Sequence, residues 1–188
     1  MKNKFGFVSL TGRTNVGKST LLNSFFQKKI AITSRKPQTT RNRILGILSD
    51  KDSQIVFLDT PGIHIGYKRQ LNKVMNKIAS HCYEEVDLVL FLVDRLKWQK
   101  EEENILKSLK NLNKPVILAI NKIDRMKDKT KLLAFIKDIK EKFNFLSIVP
   151  ISALKKANLV QLKKVILNNL ETGPFHFPQD TITEFSDN

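Results

Sequence analysis

The sequence contains little of two things that often define a protein's class, namely cysteine and long apolar runs. Its single cysteine, Cys82, excludes an intramolecular disulfide framework and is typical of a reducing compartment. No apolar run approaches the length of a membrane span, and the first residues do not resemble a signal peptide. No His and Cys residues have the spacing of a metal site, and no internal repeat is apparent. These absences favour a cytoplasmic globular protein.

Acidic residues are also scarce, because 18 Asp and Glu stand against 33 Lys and Arg, a net charge of +15. Such a balance favours polyanionic partners such as RNA or an anionic membrane surface. A lysine-rich solvated surface without a specific partner explains it equally well, since the lysines are spread out rather than clustered with aromatic residues. With 188 residues, 41% of them hydrophobic and 27% charged, the chain is long enough for one globular domain.

One stretch organises the rest of the chain: a G-x-x-x-x-G-K-S loop at residues 12–19, between a predicted strand at 5–10 and a predicted helix at 18–27. Successive backbone N–H groups of such a loop wrap a phosphate, and the helix dipole favours the same anion. Lys18 would reach the β- and γ-phosphates, and the Ser19 hydroxyl would ligate Mg²⁺. The predicted phosphate-binding residues are Gly12, Arg13, Thr14, Asn15, Val16, Gly17, Lys18, Ser19 and Thr20.

Apolar runs and amphipathic stretches alternate along the rest of the chain. The pattern predicts strands at 5–10, 43–48, 54–59, 86–94, 115–121 and 145–151, and helices at 18–27, 71–85, 101–112, 129–143 and 159–170. A turn at 49–53 makes the second and third strands antiparallel neighbours. The alternation predicts an α/β fold whose sheet has helices on both faces, with a site at the carboxyl ends of the strands. The helix at 129–143 is expected to turn inward Leu132, Leu133, Phe135, Ile136 and Ile139.

Further polar motifs end the later strands in the order that a nucleotide site requires. Asp59-Thr60-Pro61-Gly62 follows the third strand, where a carboxylate can hold Mg²⁺ and a glycine N–H can meet a γ-phosphate. Asn121-Lys122-Ile123-Asp124 follows the fifth, where a carboxylate can accept the two adjacent donors of guanine. After the last strand come Ser152, Ala153 and Leu154, and a backbone N–H at Ala153 could donate to guanine O6.

These motifs together resemble those of the translation-factor-like GTPases, and more closely the Era GTPase family. The resemblance depends on residues 12–19, 34–41, 59–64 and 121–124, and extends to 175–178. It implies a three-layer P-loop GTPase fold, a six-stranded, mostly parallel sheet with one antiparallel strand. It also implies a Mg²⁺-dependent GTPase that switches between GTP and GDP states. The family acts in small ribosomal subunit assembly and 16S rRNA processing, is cytoplasmic, and can contact the inner membrane peripherally. We also expect this protein to be a monomer.

The resemblance also implies roles for individual residues. Mg²⁺ would be held by Ser19, Asp59 and Thr40, with Thr39 as the alternative to Thr40, and the catalytic set would be Lys18, Thr40 and Gly62. Asn15 either holds K⁺ in place of an arginine finger or braces the loop. Ile63 stands where Ras-like enzymes have a glutamine, which predicts slow intrinsic turnover.

The resemblance divides the chain at about residue 172. Residues 1–172 are expected to form the GTP-binding domain, and 173–188 a linker toward a KH domain that holds ribosomal RNA of the 30S subunit. An alternative function is a nucleotide-gated RNA- or ribosome-binding module with negligible hydrolysis, in which GTP only orders residues 35–43.

Overall fold

A computed structural model describes residues 3–26, 43–59, 86–128 and 130–178. The described strands are β1 Lys4–Thr11, β2 Arg43–Asp50, β3 Ser53–Asp59, β4 Leu88–Asp94, β5 Val116–Asn121 and β6 Ser147–Pro150. The described α-helices are α1 Lys18–Phe25, α2 Lys100–Lys110, α3 Thr130–Lys142 and α4 Leu159–Asn168, with a 3-10 turn at Ile123–Arg125. The helix predicted at 71–85 lies outside the described residues.

The six strands form one sheet in the order β2-β3-β1-β4-β5-β6. All neighbouring pairs are parallel except β2 and β3, so the predicted mostly parallel sheet with one antiparallel strand is confirmed. The hairpin turn is shorter than the predicted 49–53, because pairing continues to Asp50 and Ser53 and leaves two residues to turn the chain.

Helices cover both faces of the sheet, as the alternation predicted. One core contains Leu21 of α1 and Leu162 of α4, and the other contains Ile105 of α2 and Ile139 of α3. All residues of β4 and β5 are buried, which explains their unbroken apolar runs. No helix in the described part of the chain is long and apolar enough to cross a membrane.

The predicted inward face of α3 was too wide. Leu133 is 72% exposed, whereas Leu132, Phe135 and Ile136 only partly bury and Ile139 is fully covered. The helix therefore lies over the sheet on a narrow stripe, and Leu133 points away from that stripe because it is one residue further round the helix than Leu132.

Residues 171–178 turn back against the first residues of β1 and β3. The backbone pairs Lys4 with Thr172, and the His176 ring stacks on Phe5 with a centroid distance of 4.1 Å. The fully buried Gln54 uses its side-chain amide to pair with both backbone groups of Phe177. Its Nε2 donates to the Phe177 carbonyl at 2.9 Å, and its Oε1 accepts from the Phe177 N–H at 3.1 Å. The tail is thus docked at the sheet edge where these strands begin.

Replacing Gln54 with alanine should undock this tail. The substitution removes both hydrogen bonds to Phe177, so we expect the free energy of unfolding in urea to fall by about 1–3 kcal/mol. Limited proteolysis within 173–178 should also become faster. Gln161→Ala, at an exposed position of α4, is the control and should change neither measurement appreciably. Unchanged stability and unchanged cleavage in Gln54→Ala would show that the amide does not hold the tail.

Candidate functional site

The G-x-x-x-x-G-K-S loop at residues 12–19, which we call the phosphate loop, connects the end of β1 to the start of α1. Its two glycines adopt positive φ, 149° at Gly12 and 102° at Gly17. A Cβ on Gly12 would lie 2.5 Å from the Leu92 carbonyl oxygen, and one on Gly17 would overlap Nδ2 of Asn121. The close approach of β4 and of the Asn121 side chain therefore requires glycine at both positions.

Lys18, the first residue of α1, bends back over this loop. Its Nζ donates to the carbonyl oxygens of Gly12 at 2.6 Å and Arg13 at 2.9 Å. Val16 is fully buried and anchors the loop in the core. The other predicted phosphate-binding side chains are exposed at the mouth of the loop, and these are Thr14, Asn15, Ser19 and Thr20.

Asn121, the buried last residue of β5, joins three loops through one side-chain amide. Its Nδ2 donates to the Val16 carbonyl at 2.8 Å, which ties the end of β5 to the phosphate loop. Its Oδ1 accepts from the N–H groups of Lys122 at 2.8 Å and Ala153 at 2.9 Å. The Ala153 N–H that could donate to guanine O6 thus already has a partner, and a bond to a base must share or replace it.

Asp124 lies exposed in the 3-10 turn after β5, at the same edge of the sheet. The Ser152 hydroxyl donates to its Oδ1 at 2.5 Å, and Ser152 Oγ in turn accepts from the Lys155 N–H at 3.1 Å. This short chain of hydrogen bonds orients the carboxylate while leaving it open to solvent. Leu154, the third residue of the last motif, is 62% exposed beside it.

Lys122 makes a second contact between residues 121–124, which we call the base motif, and the phosphate loop. Its Nζ donates to the Asn15 carbonyl at 2.7 Å and to Oδ2 of Asp94 at 3.0 Å. Its backbone has a φ of 63°, a conformation that favours glycine, so the surrounding contacts hold it in place. The two motifs that the sequence placed in order along the chain are in direct contact here.

The structure describes only some of the residues that are predicted to hold Mg²⁺ or to contact the γ-phosphate. Asp59 ends β3 beside β1, but its side chain lies outside the described part. Thr39, Thr40, Thr60, Pro61, Gly62 and Ile63 are outside it altogether. Among the described residues no group of three or more His, Cys, Asp or Glu could hold a metal ion by itself. Of the three predicted Mg²⁺ ligands, Ser19 is the one whose side chain the structure describes.

Comparison with known families identifies the family of the chain. Residues 7–122 match the family model described as "50S ribosome-binding GTPase". The chain belongs to this GTPase family. Its resemblance to the Era members is confirmed by curated relatives. GTPase Era of Haemophilus influenzae (strain PittGG) is 49% identical over 181 residues, and GTPase Era of Pasteurella multocida is 48% identical over 181 residues.

These alignments cover 96% of the chain but 60% and 59% of the two relatives, so the chain spans about three fifths of their length. Solved structures agree. A crystal structure of Era with MgGDPNP and nucleotides 1506–1542 of 16S ribosomal RNA superposes with a TM-score of 0.81 at 44% identity, covering 98% of this chain and 63% of that one. A point variant of Aquifex aeolicus Era bound to GDP.AlF4⁻ gives a TM-score of 0.79 at 43% identity, with 97% and 62% covered.

Two acidic residues of this GTPase domain were not assigned a site role from sequence. Glu102, in the first turn of α2, is 1% exposed, and its Oε1 lies 2.6 Å from Nε of Arg13 in an ion pair. Its Oε2 accepts from the Gln99 N–H at 2.9 Å and caps α2. Nothing in the sequence marks Glu102 among the three consecutive glutamates of that turn, because only the packing decides which one is buried.

Asp94, the last residue of β4, is the other. Besides Lys122, Nε of Arg95 donates to its Oδ1 at 3.0 Å, and Arg13 Nη2 lies 3.9 Å from its Oδ2. Burial opposes ionisation of this carboxyl, but hydrogen bonds from Lys122 and Arg95 outweigh it and hold the pKa of Asp94 below its ordinary value. Its position at the carboxyl end of a buried strand was the available signal.

Asp94→Asn should make the free energy of unfolding of the domain less dependent on pH. A carboxyl with a lowered folded-state pKa contributes stability above its unfolded pKa and loses it as pH falls through the folded value. We expect the variant to be less stable than the parent by about 2 kcal/mol near about pH 6, and this gap to shrink toward about pH 3. Urea unfolding at a series of pH values measures it.

The same substitution at the exposed Asp138 of α3 is the matched control for the loss of one charge. A stability gap for Asp94→Asn that stays constant with pH would contradict the ionised, ion-paired carboxylate described above.

Proposed function

We propose that the chain binds GTP and GDP and hydrolyses GTP to GDP and phosphate, as a switch. The observation that carries the proposal is the direct contact between the base motif and the phosphate loop, made by Asn121 to Val16 and by Lys122 to Asn15. A base bound at Asp124 and phosphates bound at Lys18 would then share one rigid support. The family match supports the same activity.

Asp124 is proposed to select guanine. Its carboxylate is exposed and is oriented by Ser152, so it can accept N1–H and the N2 amino group together. Adenine has no such pair of donors, and its ring-nitrogen acceptor would face a negative charge. The stem of Lys122, held at both Asn15 and Asp94, is placed to cover the base face.

The phosphates are proposed to replace the loop carbonyls as partners of the Lys18 ammonium. Mg²⁺ would be held by Ser19, Asp59 and Thr40 and would neutralise charge on the phosphates. Gly62, with Thr60 and Pro61, would contact the γ-phosphate. The attacking water would be held by backbone groups, since Ile63 offers no side-chain hydrogen bond, and turnover would be slow. Asn15 is also proposed to hold K⁺, in place of an arginine finger.

The cellular role is also a proposal. Era was solved with a 16S ribosomal RNA fragment, which supports an rRNA-linked role and assembly of the small subunit for the whole protein. Residues 173–188 are proposed to lead toward the KH domain that would hold that RNA and the 30S subunit. The GDP.AlF4⁻ complex of Aquifex Era favours hydrolysis over a binding-only module. A cytoplasmic location, peripheral membrane contact and a monomeric state stay predictions.

Phosphate release tests the activity directly. With Mg²⁺ present, we expect slow release from GTP and none above background from ATP, because only guanine satisfies Asp124. Release in KCl should exceed release in NaCl at equal ionic strength if Asn15 holds K⁺. Equal rates in the two salts would remove K⁺ from the mechanism, and GDP binding without any phosphate release would leave a binding module.

Asp124→Asn should shift nucleotide preference from guanine toward xanthine, because the side-chain NH₂ can donate to the xanthine 2-oxo group. Loss of a charge-assisted pair is expected to cost about 1.5–3 kcal/mol, or roughly 10- to 100-fold in GDP affinity. Competition by XDP against labelled GDP measures the shift. Asp52→Asn, in the exposed turn between β2 and β3, is the control. Unchanged GDP affinity in Asp124→Asn would exclude Asp124 as the base reader.

A further inference from the structure

A basic groove of about 340 Å³ lies next to the base motif, because residues 125–128, which directly follow Asp124, line it. It is formed by the turn after β4 and by the segment that joins the 3-10 turn to α3. Five of its eight lining residues carry a positive charge, and these are Arg95, Lys97, Arg125, Lys127 and Lys131. The sequence spreads lysines widely, but here the fold gathers cations around one concavity.

Acidic side chains offset only part of this positive charge. Asp128 is the one acidic residue among the lining residues. Its Oδ1 already accepts from the Thr130 N–H at 2.9 Å and from the Thr130 hydroxyl at 2.6 Å, so it caps the start of α3. Asp94, which is not a lining residue, pairs with Arg95, so the five cations face two carboxylates and the local net charge is about +3, which favours an anionic ligand.

Arg95 is held in place rather than free to swing into solvent. Its backbone has a φ of 50°, and its N–H donates to the Asn121 carbonyl at 2.9 Å. Its Nε donates to Asp94 at 3.0 Å. A bulky residue in this conformation is strained, and strain of this kind is found most often where function needs a fixed side chain. The guanidinium thus forms a rigid corner of the groove.

The groove also has an apolar component. Leu96 and Met126 line it and are partly buried. Methionine adapts its shape to flat ligands, and its sulfur interacts well with aromatic rings. A ligand that alternates anionic groups with flat apolar ones would therefore satisfy both parts of the lining.

We propose that this groove binds single-stranded nucleic acid, with backbone phosphates on its cations and a base against Leu96 and Met126. A concave site of this size suits a flexible strand better than a flat bilayer, and the apolar lining residues Leu96 and Met126 distinguish it from a site for an acidic peptide. The proposal goes beyond the function proposed above, because it places a nucleic-acid contact on the GTPase domain itself.

The test compares two triple variants of the GDP-loaded chain that lose the same charge. The groove variant is Lys97→Gln, Lys127→Gln and Lys131→Gln, and the control is Lys110→Gln, Lys137→Gln and Lys164→Gln, at exposed helix positions outside the groove. Binding of fluorescent RNA and DNA single strands of about 12 nucleotides is followed by anisotropy over a series of salt concentrations. GDP affinity and melting temperature report whether each variant is folded.

We expect the groove variant to bind at least about 10-fold more weakly than the parent. Its slope of log K against log salt should decrease by about 2, since each lost phosphate contact accounts for about 0.7. The control should stay within about 2-fold of the parent. Equal losses in the two variants would show that only bulk charge is sensed and would overturn the proposal. So would the absence of strand binding by the parent at low salt.

Two further measurements identify the ligand and the place. A polyglutamate peptide and vesicles with anionic lipid should compete poorly with the labelled strand. If either competes better than unlabelled strand does, the ligand of the groove is not nucleic acid. Photocross-linking of a strand containing 4-thiouridine should label peptides with Leu96 or Met126. Labelling confined to other regions would exclude the groove.

Discussion

The site depends on one buried amide, the side chain of Asn121. It accepts from Lys122 and Ala153 and donates to Val16, so the loops after β1, β5 and β6 are held by three hydrogen bonds from one residue. Because Asn121 is 1% exposed, an unpaired group there would be costly, and the three loops cannot move independently without breaking these bonds. The glycine at position 17 is part of the same arrangement, since a side chain there would occupy the space of the amide.

A second connection runs through the carboxylate of Asp94. One oxygen accepts from Lys122, at the proposed base site, and the other accepts from Arg95, at the corner of the basic groove. The anionic group is thus shared between two cations with different proposed ligands, a guanine face and a nucleic-acid strand. Its ionisation is favoured by both, which explains why its pKa is lowered despite burial.

The nucleotide motifs and the C-terminal segment 171–178 lie at opposite ends of the strands. The carboxyl ends of the parallel strands carry the nucleotide motifs, because helices begin there and backbone N–H groups point outward. Residues 171–178 pack at the opposite end, where the strands begin. There the Gln54 side chain pairs with both backbone groups of Phe177, as a neighbouring strand would, and His176 stacks on Phe5. Pro178, the last described residue, therefore lies toward the end of the sheet that is opposite the nucleotide motifs.

Local pattern was enough to predict the alternation of strands and helices, the parallel sheet with one antiparallel strand, and the position of the phosphate and base motifs at the carboxyl ends of strands. Each of these is written in consecutive residues, as apolar periodicity or as a motif of fixed spacing. The exposure of Leu133, the burial of Glu102, the role of Asp94 and the gathering of five cations around one groove are different. They depend on which residues distant in sequence come together, and packing of the helices on the sheet, rather than any local signal, decides that.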